Sequence, residues 1–253
     1  MIVSHLTYHT PTLKACALTC FAWYIAVTPH LHHTLSLKQW HSATIREDLN
    51  PLVALHGLGL LPLVRKVRFL SGHDLSTFPG LMVFAFESEG LRHFHALVNV
   101  RELVIKGLDL SELSGMGDFL AHLSPEVRSI TLAYFSGHPR QLRDFLDLFP
   151  KLDDIHIKGF FGPSGGSDAP DSAELAPIQG PMRGELSLGG PRTQEILPMF
   201  RGMRFVSLDF TKVQGGQFVL DACTETLEAF CFDLDDLSHS GEFFKEDGTR
   251  RTP

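Results

Sequence analysis

One short pattern of apolar and polar positions recurs along most of the chain: apolar, two others, apolar, one other, apolar. It runs through Val64/Val67/Phe69, Val100/Leu103/Ile105, Val127/Ile130/Leu132 and Leu152/Ile155/Ile157. It continues as Leu186/Leu188 with Arg183 in the first slot, then Phe205/Leu208/Phe210 and Leu227/Phe230/Phe232. The last two apolar positions of each unit alternate, which predicts a strand buried on one face. Between the strands lie stretches with helical spacing. Gln141 to Phe149 is the clearest, with Leu142, Phe145, Leu146 and Phe149 on one face and Pro150 as its end. Met116 to Leu123 is similar, with Pro125 just beyond. Thr44-Ile45-Arg46-Glu47 is a capping-box pattern opening another helix. Its apolar face would be Ile45, Leu49, Leu52 and Val53, with Pro51 bending or ending it.

The final apolar positions of successive units lie between 22 and 36 residues apart. Leucine-rich repeats step by roughly 20–29 residues. The longest step holds extra material around Phe84 and Phe86, and another holds the Gly/Ser/Pro stretch Gly162 to Ser172, which predicts a surface insertion. Strand, turn and helix at this spacing predict an α/β fold: a leucine-rich-repeat-like solenoid, with parallel strands on the concave side and helices on the convex side. The rival is a doubly wound α/β domain. No strand is followed by a glycine-rich phosphate loop, which argues against the nucleotide-binding versions of that rival.

The first forty residues break the pattern. Thr10 before Pro11 predicts a helix start. Leu13, Cys16, Ala17 and Cys20 come next at helical spacing, and Phe21 to Val27 continues apolar until Pro29, the predicted stop. Ile2, Val3 and Leu6 fit the end of an earlier helix. This segment is too small to stand alone and is expected to dock on the rest of the chain or on a partner. The expected division is therefore a helical segment at 1–40, a repeat domain at 41–234 and a disordered tail at 235–253.

Residues His5-Leu6, Leu13, Ala15-Cys16-Ala17-Leu18, Cys20, Trp23, His30-Leu31, Leu35 and Leu37 give this segment a resemblance to an F-box, in the form found in the large F-box families of mushroom-forming fungi. The stretches HPRQLRDFLDLFPKLDDIHI and LDACTETLEAFCF resemble the repeat regions of the same proteins. The resemblance covers roughly residues 2–232. It implies a substrate-recognition subunit of a Skp–cullin–F-box ubiquitin ligase, with a Skp-type adaptor, through it a cullin, and a protein substrate as partners. Ile2, Leu6, Leu13, Cys20 and Trp23 would then lie in or beside the adaptor surface. The Leu-Pro pair that opens the family's first helix is absent here, and a chain clipped at both ends relative to the family is the expectation. The alternative is a repeat scaffold whose degenerate box no longer holds the adaptor.

In such a stack the polar strand positions share one face. The substrate candidates on it are Lys66, Arg68, Lys106, Asp154, His156, Glu185 and Asp209, basic early in the chain and acidic late. Composition narrows the class further. The chain has 253 residues, 43% of them apolar and 20% charged, with a formal charge of −7. That is a soluble composition and a poor one for tracking phosphates, so no nucleic-acid partner is expected. No apolar run matches a membrane span and Met1 to Tyr8 has no basic region, so a cytoplasmic or nuclear protein is expected.

Catalytic and metal-binding motifs are weak. Cys16, Cys20, Cys223 and Cys231 form no CxxC pair, and Cys16 and Cys20, four apart, are expected to be buried on one helical face. His30, His32 and His33 cluster without a recognised ligand pattern, so no metal or cofactor is expected. Gly162-Pro163-Ser164-Gly165-Gly166 matches the serine-hydrolase elbow, with Asp209 and His239 downstream, but a flexible stretch stands where the elbow needs a helix. A non-catalytic role is preferred to a hydrolase using Ser164. Twenty phenylalanines stand against three tyrosines and two tryptophans. The pattern assigns Phe69, Phe205, Phe210, Phe230 and Phe232 to strand core slots and Phe145 and Phe149 to a facing helix.

Overall fold

In a computed structural model, residues 9–39, 50–71, 93–108, 110, 123–160, 183–187, 196–200, 204–210 and 230–232 are described. Helices α1 (Thr10–Ala17) and α2 (Phe21–Leu31) lead into β1 (Thr34–Gln39). Then come α3 (Asn50–Gly57), β2 (Lys66–Ser71), β3 (Glu102–Lys106), β4 (Ser129–Phe135), α4 (Pro139–Asp147) and β5 (Asp154–Phe160). Strands β6 (Arg183–Ser187), β7 (Arg204–Phe210) and β8 (Phe230–Phe232) complete the order. Short 3-10 turns at Leu61–Leu63, Ser124–Glu126 and Leu197–Phe200 lie ahead of β2, β4 and β7.

The described residues form one eight-stranded sheet whose strands lie side by side in chain order. Every neighbouring pair is parallel. The fold is thus a mixed α/β one. The alternation read from the sequence is the reason these segments are strands: Val67, Phe69, Leu103, Ile105, Ile130, Leu132, Ile155 and Ile157 are all buried, and the residues between them are not. Each buried Val, Ile or Leu contributes about 1.5–3 kcal/mol. The first slot of each unit, Val64, Val100, Val127 and Leu152, is buried as well.

The units are joined at their strand entries. The carbonyl of His33 accepts from the N–H groups of both Arg65 and Lys66, at 2.8 and 2.9 Å. The carbonyl of Arg65 does the same for Arg101 and Glu102, that of Arg101 for Arg128 and Ser129, and that of Arg128 for Asp153 and Asp154. Each unit therefore fixes the register of the next.

Strict alternation ends at a row of left-handed residues. Gly107, Tyr134 and Gly159 have φ of 76°, 56° and 68°. Ala133 still pairs with Lys158, and pairing resumes at Phe135 with Phe160. The kink shifts the phase by one residue. Tyr134, which would otherwise continue the inward row of Ile130 and Leu132, is exposed, and Phe135 is buried instead. Phe160 and Leu108 enter the core in the same way, and the Phe135 and Phe160 rings lie 5.2 Å apart.

The helix α4 closes this core. It begins at Pro139, with the His138 N–H donating to Gln141 Oε1 at 2.7 Å. Its buried face is Leu142, Phe145 and Leu146, as the sequence predicts, and Phe149 just beyond it packs on Phe145 at 5.2 Å. Phe69 is buried as expected, and Phe94, Phe135, Phe160 and Phe200, which the repeat pattern does not assign, join it. The side chains of Phe205, Phe210, Phe230 and Phe232, and the tail from 235, lie outside the described residues.

Several local expectations change. His9, not Thr10, caps α1, accepting from the Thr12 N–H at 3.3 Å. Pro29 does not stop α2, which runs to Leu31, its last turn held by the His32 N–H on the Thr28 carbonyl at 3.1 Å. Pro51 opens α3 rather than ending it, because a missing N–H costs nothing in a first turn. Val53 faces solvent, while Leu52 is buried. Thr34–Gln39 pairs with Lys66–Ser71, so these residues belong to the sheet and not to a helical segment ending at residue 40. Leu186 stands opposite Ile157 instead of Ile155, which moves β6 by two residues from the expected alignment. The expected helices around 44–49 and 116–122 lie outside the described residues.

Gly137 takes φ of 139°, and a Cβ there would lie 2.6 Å from Leu110 Cβ. Gly137→Ala should cost about 1–3 kcal/mol by overpacking, with backbone strain added, read as a lower urea midpoint at unchanged slope.

Candidate functional site

Two surfaces stand out. The first is on the N-terminal helix pair. Continuous helical spacing from Leu13 to Cys20 suggests one helix, but the chain breaks after Ala17. The Leu18 and Thr19 N–H groups close tight turns onto Ala15 and Cys16, and Cys20 is extended and caps α2. The break turns Leu18 and Phe21 outward, 88% and 76% exposed, beside Ile25 at 55% and Tyr24 at 48%. The Phe21 and Tyr24 rings stack at 6.5 Å. Isolated surface apolar groups are ordinary, but four on consecutive turns make a patch.

Among the adaptor residues read from the sequence, Leu13 is 1% exposed. Cys20 is exposed rather than buried, Cys16 is half-buried, and Trp23 is half-buried. Ile2 and Leu6 lie outside the described residues. Leu18, Phe21, Tyr24 and Ile25 are visible in the sequence as apolar residues, but only the break at 18–20 decides which of them face out.

The second surface is the polar face of the sheet. The register sets its positions in three rows. Lys66, Glu102, Ser129 and Asp154 lie across the strand starts. Arg68, Val104, Thr131 and His156 cross the middle. Leu70, Lys106, Ala133 and Lys158 cross the far end. All twelve are exposed or half-buried. The sheet thus brings Lys66, Arg68, Lys106, Asp154 and His156 together as expected. Glu185 continues the middle row opposite His156, and Asp209 stands opposite Ser187, the next in line after Lys158; for both, only backbone register is described.

Charge on this face is sorted along the strands as well as between them. Lys66 is not an available cation: its Nζ lies 2.7 Å from Glu102 Oε2. Arg68, Lys106 and Lys158 have no ion pair among the described residues. The Lys106 ammonium instead lies 5.4 Å from the centroid of the Tyr134 ring. The repeat pattern does not single out Tyr134. The usable sign is a Tyr in a slot where the other units carry Gly107 and Gly159.

No group of three or more His, Cys, Asp or Glu able to hold a metal ion occurs among the described residues. His33 Nδ1 is spent on the His30 carbonyl at 2.7 Å, and burial lowers the His32 pKa below 6.5. Ser164 and His239 lie outside the described residues. No described helix is long and apolar enough to cross a membrane.

Compared with models of known protein families and with curated proteins, the chain matches none.

Tyr134→Gly should be near neutral in stability, since release of about 1–2 kcal/mol of left-handed strain offsets a lost cation–π contact of about 0.5–1 kcal/mol. Tyr134→Val should instead destabilise, because a branched Cβ tolerates positive φ least; thermal midpoints of the pair check this. His32 binds its proton less readily folded than unfolded, so it destabilises the fold as pH drops through 6.5 and contributes nothing well above that value. His32→Gln should reduce the loss of stability on acidification, with an NMR titration reading the lowered pKa directly.

Proposed function

We propose that this chain is a non-catalytic recognition subunit of F-box type: the N-terminal helices dock on a Skp-type adaptor and through it a cullin, and the sheet face holds a protein substrate. The observation that carries this reading is the pairing of two separate surfaces in one molecule, an apolar patch of Leu18, Phe21, Tyr24 and Ile25 on α2 and the turn that leads into it, and a polar face on the sheet. Linking two binding modules raises effective concentration without new chemistry, which is what a specificity subunit does.

The proposal includes a finer statement of the fold. Parallel strands in unbroken chain order, each unit bonded to the next, are what a leucine-rich-repeat-like solenoid requires. The polar sheet face would be its concave side. On this reading the first strand, Thr34–Gln39, starts the repeat domain, and α1 and α2 are the F-box-like part. Such a subunit works in the cytoplasm or nucleus.

Adaptor retention tests the role. The wild-type chain co-purified with a Skp-type adaptor should be retained, and Phe21→Asp or Ile25→Asp should reduce retention about tenfold or more, as loss of a central anchor does. Leu13→Ala should act differently, lowering the unfolding midpoint as a core truncation does. Failure of the wild type to bind overturns the ligase role in favour of a repeat scaffold with a degenerate box. Retention unaffected by Phe21→Asp and Ile25→Asp overturns the assigned surface.

A further inference from the structure

The polar sheet face has a shape as well as a charge. From Ser129 to Ala133 its middle strand presents only small side chains outward, Ser129, Thr131 and Ala133, all half-buried, and the exposed Tyr134 follows them. The flanking strands present larger ones at both ends: Glu102 and Lys106 on β3, with Val104 between them, and Asp154 and Lys158 on β5, with His156 between them. Small residues on β4 between these larger ones make a trough along the strand. It runs about 13 Å over the four steps from Ser129 to Ala133, and its walls are two strand spacings, about 10 Å, apart.

The two ends of the trough differ in sign. At the strand starts the walls carry Glu102, already bonded to Lys66, and Asp154. At the far end they carry Lys106 and Lys158, which have no ion pair among the described residues. Tyr134 stands at that same end, half exposed, with the Lys106 ammonium over its ring. It holds a left-handed φ of 56° where the neighbouring units place Gly107 and Gly159. A bulky residue kept in a strained conformation, exposed, with a lysine over its ring, is an outlier of the kind that clusters at binding sites. Its ring also holds Lys106 in place and so lowers the entropy lost when an anion binds.

We infer that this trough binds a short extended peptide segment of a partner protein, with an acidic side chain at the end held by Lys106, Lys158 and Tyr134. The trough length fits about four residues in extended form. The hydroxyls of Ser129 and Thr131 on its floor suit peptide amides. A nucleic-acid strand fits less well, because its phosphates would run on past Asp154 and Glu102, and the chain carries a net charge of −7. This deepens the proposed recognition role and rests on it only in placing the partner on the sheet face.

The test uses the full chain and fluorescein-labelled hexapeptides of sequence Glu-Glu-Ser-Ala-Ser-Ala and Lys-Lys-Ser-Ala-Ser-Ala, with a labelled single-stranded oligothymidylate alongside. Anisotropy at low salt should show the acidic peptide binding about tenfold or more tightly than the basic one. Lys106→Gln with Lys158→Gln should remove that preference. Thr131→Trp should fill the trough and weaken binding about tenfold with every charge intact. Lys14→Gln, a lysine removed on α1, should change binding less than about twofold, since an exposed charge at a distance is screened. Circular dichroism and unfolding midpoints confirm that each variant folds. Equal affinity for the two peptides, an equal loss from Lys14→Gln, an unchanged affinity in Thr131→Trp, or tighter binding of the oligothymidylate overturns the proposal. Adaptor retention by the trough variants should equal that of wild type, so failure of the trough and failure of the ligase role are read separately.

Discussion

The constraint on which the described structure depends is the shared carbonyl at each strand entry. The His33, Arg65, Arg101 and Arg128 carbonyls each take two N–H groups from the next unit. A carbonyl oxygen has two lone pairs, so one atom can satisfy both donors at the point where a turn becomes a strand. The acceptor belongs to one unit and the donors to the next, so each pair of bonds joins chain neighbours from β1 to β5 at their strand starts. The three rows of the polar face follow the same register. The side chains reinforce the same direction: Asn99 donates to the Pro62 carbonyl, Lys151 pairs with Glu126 and Arg128 pairs with Asp153.

A second constraint acts at the other end of the strands. The row of left-handed residues at 107, 134 and 159 exchanges the inward and outward positions. Without it, Tyr134 would carry its hydroxyl into the core, and Phe135 and Phe160 would face water. Core and surface are therefore set by one backbone feature. Glycine meets its steric demand in two of the three units. In the third, Tyr134 does so at a cost in strain and is placed beside Lys106 on the exposed face.

The helix pair obeys a different logic. Leu13 and Val27 are buried, while the break at Leu18 to Cys20 rotates an apolar quartet outward. Apolar spacing alone does not separate these roles, since Leu13, Leu18 and Phe21 are equally apolar in sequence. Two short helices with few buried residues gain little from each other, and an exposed apolar patch on such a pair lowers its cost when covered.

What the sequence determined by itself was local. Period-two alternation identified the buried positions of β2 to β5, because neighbouring side chains on a strand must point to opposite faces. Helical spacing from Gln141 to Phe149, with Pro150 after it, identified α4. The distances between units implied parallel strands, since a parallel neighbour requires a long return path. What only the tertiary structure decided was non-local. The shift that sets Leu186 opposite Ile157 and the pairing of Lys66 with Glu102 each depend on a partner distant in the chain. Local pattern specifies which face a residue prefers. Its neighbour across the sheet, set by shared carbonyls and by packing, decides whether a charge is neutralised or left available to a ligand.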